Sequence, residues 1–230
     1  MTKKLQKTQK NEVANPLTPS RGFDDNVSSE DYLLPRLELL QALSPTVQEE
    51  KGKAGELVNS ITKRKVNTTF IPVRLEKTFI RWIPRSEGGG IEYRTNNPLD
   101  PRVIEDTKWK DGDKPLCTAY LNFLCLAEGE DTPIVVSFAN TSYTAGRKLL
   151  TMARMRGGDL FSRKYKVSSV KKTNNLGTFF VLNVEEVGPV TSDEFARAES
   201  LYNAFSSKEI KFEQDANKET VDDSEVSNEF

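Results

Sequence analysis

The chain has 230 residues with 36% hydrophobic and 29% charged side chains, a composition typical of one folded domain with polar extensions. It contains no histidine, which removes the commonest metal ligand and the usual general base, so the sequence predicts a protein without enzymatic activity, metal site or other cofactor. No apolar run reaches the length of a membrane span and the N-terminus has no apolar signal core, so we expect a cytoplasmic protein that contacts no membrane.

The near-neutral net charge of −1 hides a strong asymmetry along the chain. Residues 206–230 contain eight acidic and three basic side chains, whereas residues 1–205 contain 26 acidic and 30 basic ones. A basic body attracts polyanions, and an acidic segment of low hydrophobicity is typical of disorder. We therefore expect a folded, polyanion-binding body followed by an acidic disordered tail at 206–230.

The N-terminal part of the chain begins with 28 polar residues that include Pro16, Pro19 and Gly22, which predicts a flexible arm over residues 1–28. The next segment brings six leucines together between residues 33 and 43. Pro35 suits the first turn of a helix and Pro45 suits its end, so the pattern predicts a short helix over residues 36–43.

From residue 56 onwards the pattern is mainly that of β-strands. The run at 67–84 alternates and is rich in β-branched and aromatic residues, and the turn EGGG joins it to IEYRT at 91–95 as a long hairpin. A polar, proline-rich surface excursion follows at 95–115. Strands at 117–127 and 133–139 predict a second hairpin, and strands at 160–170 and 178–187 predict a third.

Two longer helices complete the pattern. One is predicted over 143–155, ending at Gly157, and the other begins at Thr191, where Glu194 completes a capping box. Cys117 and Cys125 lie too far apart on one strand to bridge, so both are expected to be buried free thiols.

The predicted fold is mainly β with a few helices, an α+β domain over residues 29–205. An OB-fold-like small β-barrel is our first expectation, because five or more strands are grouped as hairpins around one helix. Other small barrels and a twisted open sheet are the alternatives.

Basic side chains cluster in two parts of the body. Residues 63–85 contain seven bases and one acid, and residues 146–172 contain nine bases and one acid. Aromatic rings alternate with these cations on predicted strands, the pattern needed to stack bases inside a basic groove. Phe123, Phe138, Phe179 and Phe180 are instead expected in the core, as is Trp82, which is nevertheless kept among the candidates. The candidate DNA-binding residues are Lys63, Arg64, Lys65, Phe79, Arg81, Trp82, Arg85, Tyr93, Arg94, Trp109, Lys110, Arg147, Lys148, Arg154, Arg156, Arg163, Lys164, Tyr165 and Lys166.

The last twelve residues, ETVDDSEVSNEF, contain five acids and no base and end in an aromatic residue. With the basic body, this ending resembles the bacterial and phage single-stranded DNA-binding proteins, especially the T7-type phage proteins. The resemblance implies sequence-independent binding and protection of single-stranded DNA in phage replication, recombination and repair, and a possible homodimer. It also implies a tail that competes with DNA for the basic groove and recruits a polymerase, helicase or primase. The tail residues that carry the resemblance are Asp222, Asp223, Glu225, Glu229 and Phe230.

Two other functions fit the same sequence. A recombination protein that anneals complementary strands would use similar surfaces, and a phage adaptor or structural protein would use the body for protein contacts without binding DNA. An enzyme is the third class, although no group of side chains in the sequence supports a reaction.

Overall fold

The structure, a computed structural model, describes residues 33–109, 113–130, 132–175 and 177–206. The arm predicted at 1–28, Lys110 and the five tail residues of the resemblance lie outside these ranges. The elements are β1 (Leu37–Leu39), α1 (Pro45–Gln48), β2 (Leu57–Asn59), β3 (Thr69–Trp82), β4 (Ile91–Thr95), α2 (Pro101–Asp106), β5 (Cys117–Ala127), β6 (Pro133–Phe138), α3 (Tyr143–Arg156), β7 (Arg163–Asn174), β8 (Gly177–Pro189) and α4 (Ser192–Phe205).

The three predicted hairpins form the main sheet. Its strand order is β6-β5-β3-β7-β8 with every pair antiparallel, and β4 also pairs with β3, at the end of β3 that β7 does not reach. The pairs β3–β4, β5–β6 and β7–β8 confirm the hairpins that alternation and turn residues predicted. The two strands of a hairpin follow each other in sequence, so the pattern of strands and turns was enough to predict which strands pair.

The mainly β, α+β class is confirmed, but the main sheet is open. Among the described residues no ladder joins β6 to β8, so the sheet is the twisted open alternative and not a closed OB-like barrel. β1 lies beside β6, where Val135 N–H donates to Pro35 O at 2.8 Å. The side-chain amide of Gln41 binds the backbone of β8, because it accepts from Phe180 N–H at 2.9 Å and donates to Phe180 O at 2.8 Å.

The helix predicted over residues 36–43 is wrong. Leu37–Leu39 is a strand that pairs antiparallel with Leu57–Asn59, and Pro45 begins a helix instead of ending one. A leucine-rich segment of this length is compatible with a helix or a strand. It forms a strand here because β2 supplies partners for its backbone hydrogen bonds. The surface excursion at 95–115 contains α2, whose N-cap Asp100 accepts from Arg102 N–H.

Three apolar clusters cover the two faces of the sheet. One face packs on α3, where Gly146 lies so close to Phe138 that a Cβ atom would be 2.7 Å from the Phe138 Cβ. The opposite face packs on α4 through Ala198, Leu201 and Phe205. A third cluster joins α2 to the tip of the β3–β4 hairpin. Because both faces of the β3–β5 ladder are covered, only its tip and the sheet margins remain for a ligand.

Local predictions for the cysteines and for α4 are confirmed. Cys117 and Cys125 are buried and unbridged on β5. At the start of α4, Thr191 Oγ1 accepts from Glu194 N–H and Glu194 Oε2 accepts from Thr191 N–H at 2.7 Å, which completes the capping box. Within the described ranges, none of the helices is both long and apolar enough to cross a membrane.

Candidate nucleic-acid interface

The tip of the β3–β4 hairpin places its side chains on two faces, and α2 covers one of them. Phe79 and Tyr93 are 4% and 8% exposed in the cluster that packs on α2. Asp106 on α2 accepts from Tyr93 Oη at 2.8 Å and from Arg81 Nη1 at 3.0 Å. Burial, with hydrogen bonds to Cys117 and Asp106, raises the pKa of the Tyr93 hydroxyl. Phe79 and Tyr93 are therefore core rings and offer no stacking surface, and Arg81 holds α2 in place.

The other face of this tip carries rings and a cation that α2 does not cover. Trp82 is half-buried, and its Nε1 donates to the Tyr120 hydroxyl at 3.2 Å. Arg94 lies on the same face, since it pairs with Ile80 in the β3–β4 ladder. Tyr120 was missed from the sequence; it lies opposite Thr78 in the β3–β5 ladder and so shares a face of the sheet with Trp82. We call Trp82, Tyr120 and Arg94 the ring face.

The first basic cluster is largely neutralised by ion pairs. Arg64 is exposed, Lys77 Nζ lies 4.9 Å from the centre of the Phe79 ring, and Arg85 begins a short 3-10 helix. The ion pairs are Lys63 with Glu38 at 2.7 Å, Lys65 with Glu56 at 2.9 Å, Arg74 with Glu76 at 3.9 Å, and Arg81 with Glu92 at 2.7 Å and Asp106 at 3.0 Å. Most of this cluster therefore supports the fold and adds little attraction for a polyanion.

The second basic cluster keeps most of its charge available. Three of its nine bases form ion pairs: Arg156 and Arg163 with Glu186, and Lys164 with Glu194. The other six are exposed and lie more than 4.0 Å from any carboxylate among the described residues, and we call them the open cations. They are Arg147, Lys148, Arg154, Lys166, Lys171 and Lys172.

The open cations lie on two elements. Arg147, Lys148 and Arg154 are on the exposed side of α3, away from the buried Leu149, and the others are on β7. α3 packs against Leu121 of β5, whereas the neighbouring Tyr120 points to the opposite face of that strand. The ring face and the α3 cations are thus on opposite sides of β5.

The two remaining candidate rings differ completely in exposure. Tyr165 is 1% exposed within the main core, so its ring cannot meet a base. Trp109, just after α2, is 71% exposed and is the ring most accessible to a ligand among the candidates.

A groove of about 580 Å³ lies between β3 and the C-terminal half of α4. Arg74 projects into it but already donates to Phe205 O, and Asp159 and Glu199 add negative charge. This charge disfavours a phosphate backbone in the groove. Among the described residues no group of three or more Cys, Asp or Glu side chains could hold a metal ion.

Comparison with known proteins places the chain in a phage family. A family model described as Pam3 phage gp34-like protein matches residues 7–211, which include every element of the fold. No curated protein and no solved structure matches the chain significantly. Because the match extends over far more than half of its length, the chain belongs to the Pam3 phage gp34-like protein family.

Proposed function

We propose that this phage protein binds single-stranded DNA without strong sequence preference and without catalysing a reaction, acting in the infected cell during DNA replication, recombination or repair. The observation that carries the proposal is the set of six open cations on α3 and β7. Cations without carboxylate partners retain their full attraction for phosphate, and each phosphate that they neutralise releases counterions.

The α3 cations form a row along one exposed side of the helix. Arg147 and Arg154 are seven residues apart, which is two helical turns or about 10 Å along the axis, with Lys148 beside the first. A flexible single strand can follow such a row. Lys166 alternates with the buried Tyr165 and Val167, so on β7 it points away from the face that packs on α3. No acid-base machinery is needed for this role, which suits a chain without histidine.

The preference for single strands would come from the exposed rings. Trp109 is exposed and the two rings of the ring face are half-buried, and each base stacked on an aromatic ring is worth about 1–3 kcal/mol. Since the ring face and the α3 cations lie on opposite sides of β5, Trp109 is the first ring to test as a base contact.

The acidic tail gives the proposal its second part. Residues 206–230 carry five more acidic than basic side chains, opposite in sign to the body. We propose that the tail competes with DNA for the open cations and, once displaced, recruits a polymerase, helicase or primase of the replication machinery.

The test is fluorescence anisotropy of a labelled oligo-dT titrated with the full chain at several salt concentrations. The variant R147Q/K148Q/R154Q should bind more weakly, and the slope of log K against log salt should fall by about 2, because each lost phosphate contact removes about 0.7 on a single strand.

The matched control is K51Q/K53Q/K114Q, which removes the same number of charges from exposed lysines that lie on neither α3 nor β7 and do not adjoin Trp109 in sequence. It should reduce affinity and slope much less. Equal losses in the two variants would mean that only net charge matters, and no binding by the wild type at low salt would overturn the proposal.

A second candidate function, a phage adaptor that contacts other proteins, is favoured by one observation. Exposed apolar side chains concentrate around α2 and the ends of β4 and β5, namely Ile91, Leu99, Ile104, Trp109 and Leu116. Such a patch is typical of protein interfaces. A chain that binds no oligonucleotide at any salt concentration would favour this function.

A further inference from the structure

Two arginines from different elements bind the same carboxylate at the open end of the β7–β8 hairpin. Glu186 on β8 accepts from Arg156 Nε, at the end of α3, at 3.2 Å, and from Arg163 Nε, at the start of β7. The Glu186 side chain is 15% exposed and that of Arg156 is 58% exposed. Burial raises the pKa of Glu186, but hydrogen bonds from Arg163 and Arg156 outweigh it and the net pKa is lowered. We call these three residues the Glu186 cluster.

A buried hydroxyl without a partner lies beside the Glu186 cluster. Tyr165 is directly opposite Glu186 in the β7–β8 ladder, so the two side chains share a face. Its hydroxyl is fully buried and forms no hydrogen bond in the described part of the protein. Burial and then the charge of Glu186 raise the pKa of Tyr165, while the charges of Arg163 and Arg156 oppose this. An unsatisfied buried hydroxyl costs stability, which makes a second arrangement of the cluster accessible.

We propose that Arg156 and Arg163 of the Glu186 cluster bind a phosphate group, and that the Glu186 carboxylate competes with this phosphate for the two guanidinium groups. Without DNA, Glu186 holds Arg156 and Arg163. When a phosphate of single-stranded DNA binds the two guanidinium groups, the Glu186 carboxylate turns to accept a hydrogen bond from the Tyr165 hydroxyl. This inference rests on the proposed function, and it assigns the regulation of that DNA surface to one carboxylate and one hydroxyl.

Each of the two arginines has an anionic partner in both arrangements. Arginine binds carboxylate and phosphate oxygens with the same donors, so one anion can replace the other without unpaired guanidinium groups. The displaced carboxylate stays in a partly buried position and therefore needs a new donor, and the Tyr165 hydroxyl is available there. Arg156 is the more exposed arginine and lies on the same helix as three open cations, so a strand on α3 would reach it first.

The test compares two isosteric substitutions by oligo-dT anisotropy at low salt. Glu186→Gln removes the competing charge and should tighten binding about five- to tenfold. Tyr165→Phe removes the donor that accepts the displaced carboxylate and should weaken binding about three- to tenfold, while leaving the thermal midpoint unchanged or higher, because the lost hydroxyl was unsatisfied.

The matched control is Glu199→Gln. Glu199 is an exposed carboxylate on α4 and forms no ion pair within the described residues. Equal effects of Glu199→Gln and Glu186→Gln would overturn the inference, as would a Tyr165→Phe protein that binds DNA like the wild type. Failure of both the wild type and Glu186→Gln to bind oligo-dT would instead overturn the proposed function and this inference with it.

Discussion

Glu194 illustrates how one side chain can serve both local and tertiary structure. Its carboxylate accepts from Thr191 N–H at the start of α4 and from Lys164 Nζ of β7 at 3.1 Å. Burial raises the pKa of Glu194, but the bonds from Thr191 and Lys164 outweigh it, so the pKa is below its ordinary value of 4.5. The folded protein therefore favours the ionised form of this residue.

We predict that Glu194→Gln lowers the free energy of unfolding by about 1 kcal/mol at pH 7, because glutamine can keep the capping hydrogen bond but loses the negative charge that Lys164 and the N-terminus of α4 stabilise. Because the pKa is lowered on folding, the contribution is complete above pH 4.5 and is lost as the pH falls through the folded value. Urea unfolding should show a larger difference in stability between the wild type and Glu194→Gln at pH 7 than near pH 3. An equal difference at both values would contradict the assignment to charge.

At the same scale, the sequence located the aromatic residues and could not sort them by exposure. Phe79, Tyr93 and Tyr165 alternate with cations as Trp82 does, yet all three are buried. The cause is the docking of α2 through Asp106 for the first two, and the main core for Tyr165. Neither contact is local in sequence, so no pattern within a strand could reveal it.

Among the elements, β1 and the segment after it depend on tertiary contacts. The strand is three residues long, and the attachment of this segment to β8 relies on the Gln41 side chain, which replaces a backbone partner for Phe180. The Phe180 ring lies over Gly55, where a Cβ would be 2.5 Å from the ring and where φ is +90°. Glycine is required there for both reasons.

We predict that Gln41→Leu destabilises the protein by about 1–3 kcal/mol, because it leaves the N–H and C=O groups of Phe180 unpaired in a half-buried position. The midpoint of urea unfolding measures this change. Gln48→Leu is the control, since the Gln48 side chain makes only an exposed bond to Ala42 O. A similar loss in both variants would contradict the role of Gln41 as the link to β8.

The boundaries of helices and strands show which features could be predicted from neighbouring residues alone. The capping box at Thr191 and the glycine after α3 marked helix ends correctly, because caps act within one turn. Residues 36–43 were misassigned because their apolar spacing also suits a strand and the deciding partner, β2, is about twenty residues away.

At the scale of the whole molecule, the proposed function depends on the distribution of charge between the body and the tail. The body is basic, but ion pairs neutralise most of the cluster at 63–85, so the field comes mainly from α3 and β7. The tail carries the opposite sign, and its effect on DNA binding should be electrostatic and therefore screened by salt.

We predict that deletion of residues 219–230 tightens binding to oligo-dT at low salt and that the difference from the full chain disappears as salt is raised. Loss of partner recruitment should accompany the deletion, measured by co-precipitation with the replication polymerase or helicase of the phage or its host. Unchanged affinity at low salt would rule out competition by the tail while leaving the α3 surface untouched.

The sequence by itself determined the three hairpins, the capped helix α4, the free cysteines and the charge asymmetry, because each depends on neighbouring residues or on composition alone. Tertiary structure decided which rings at the end of β3 are covered by α2, which cations are paired and whether the sheet closes. These outcomes depend on contacts such as Asp106 with Arg81 and Glu186 with Arg156, whose partners are 25 and 30 residues apart in the chain. The free energy of such pairs is set by burial and geometry that exist only once the elements have packed together.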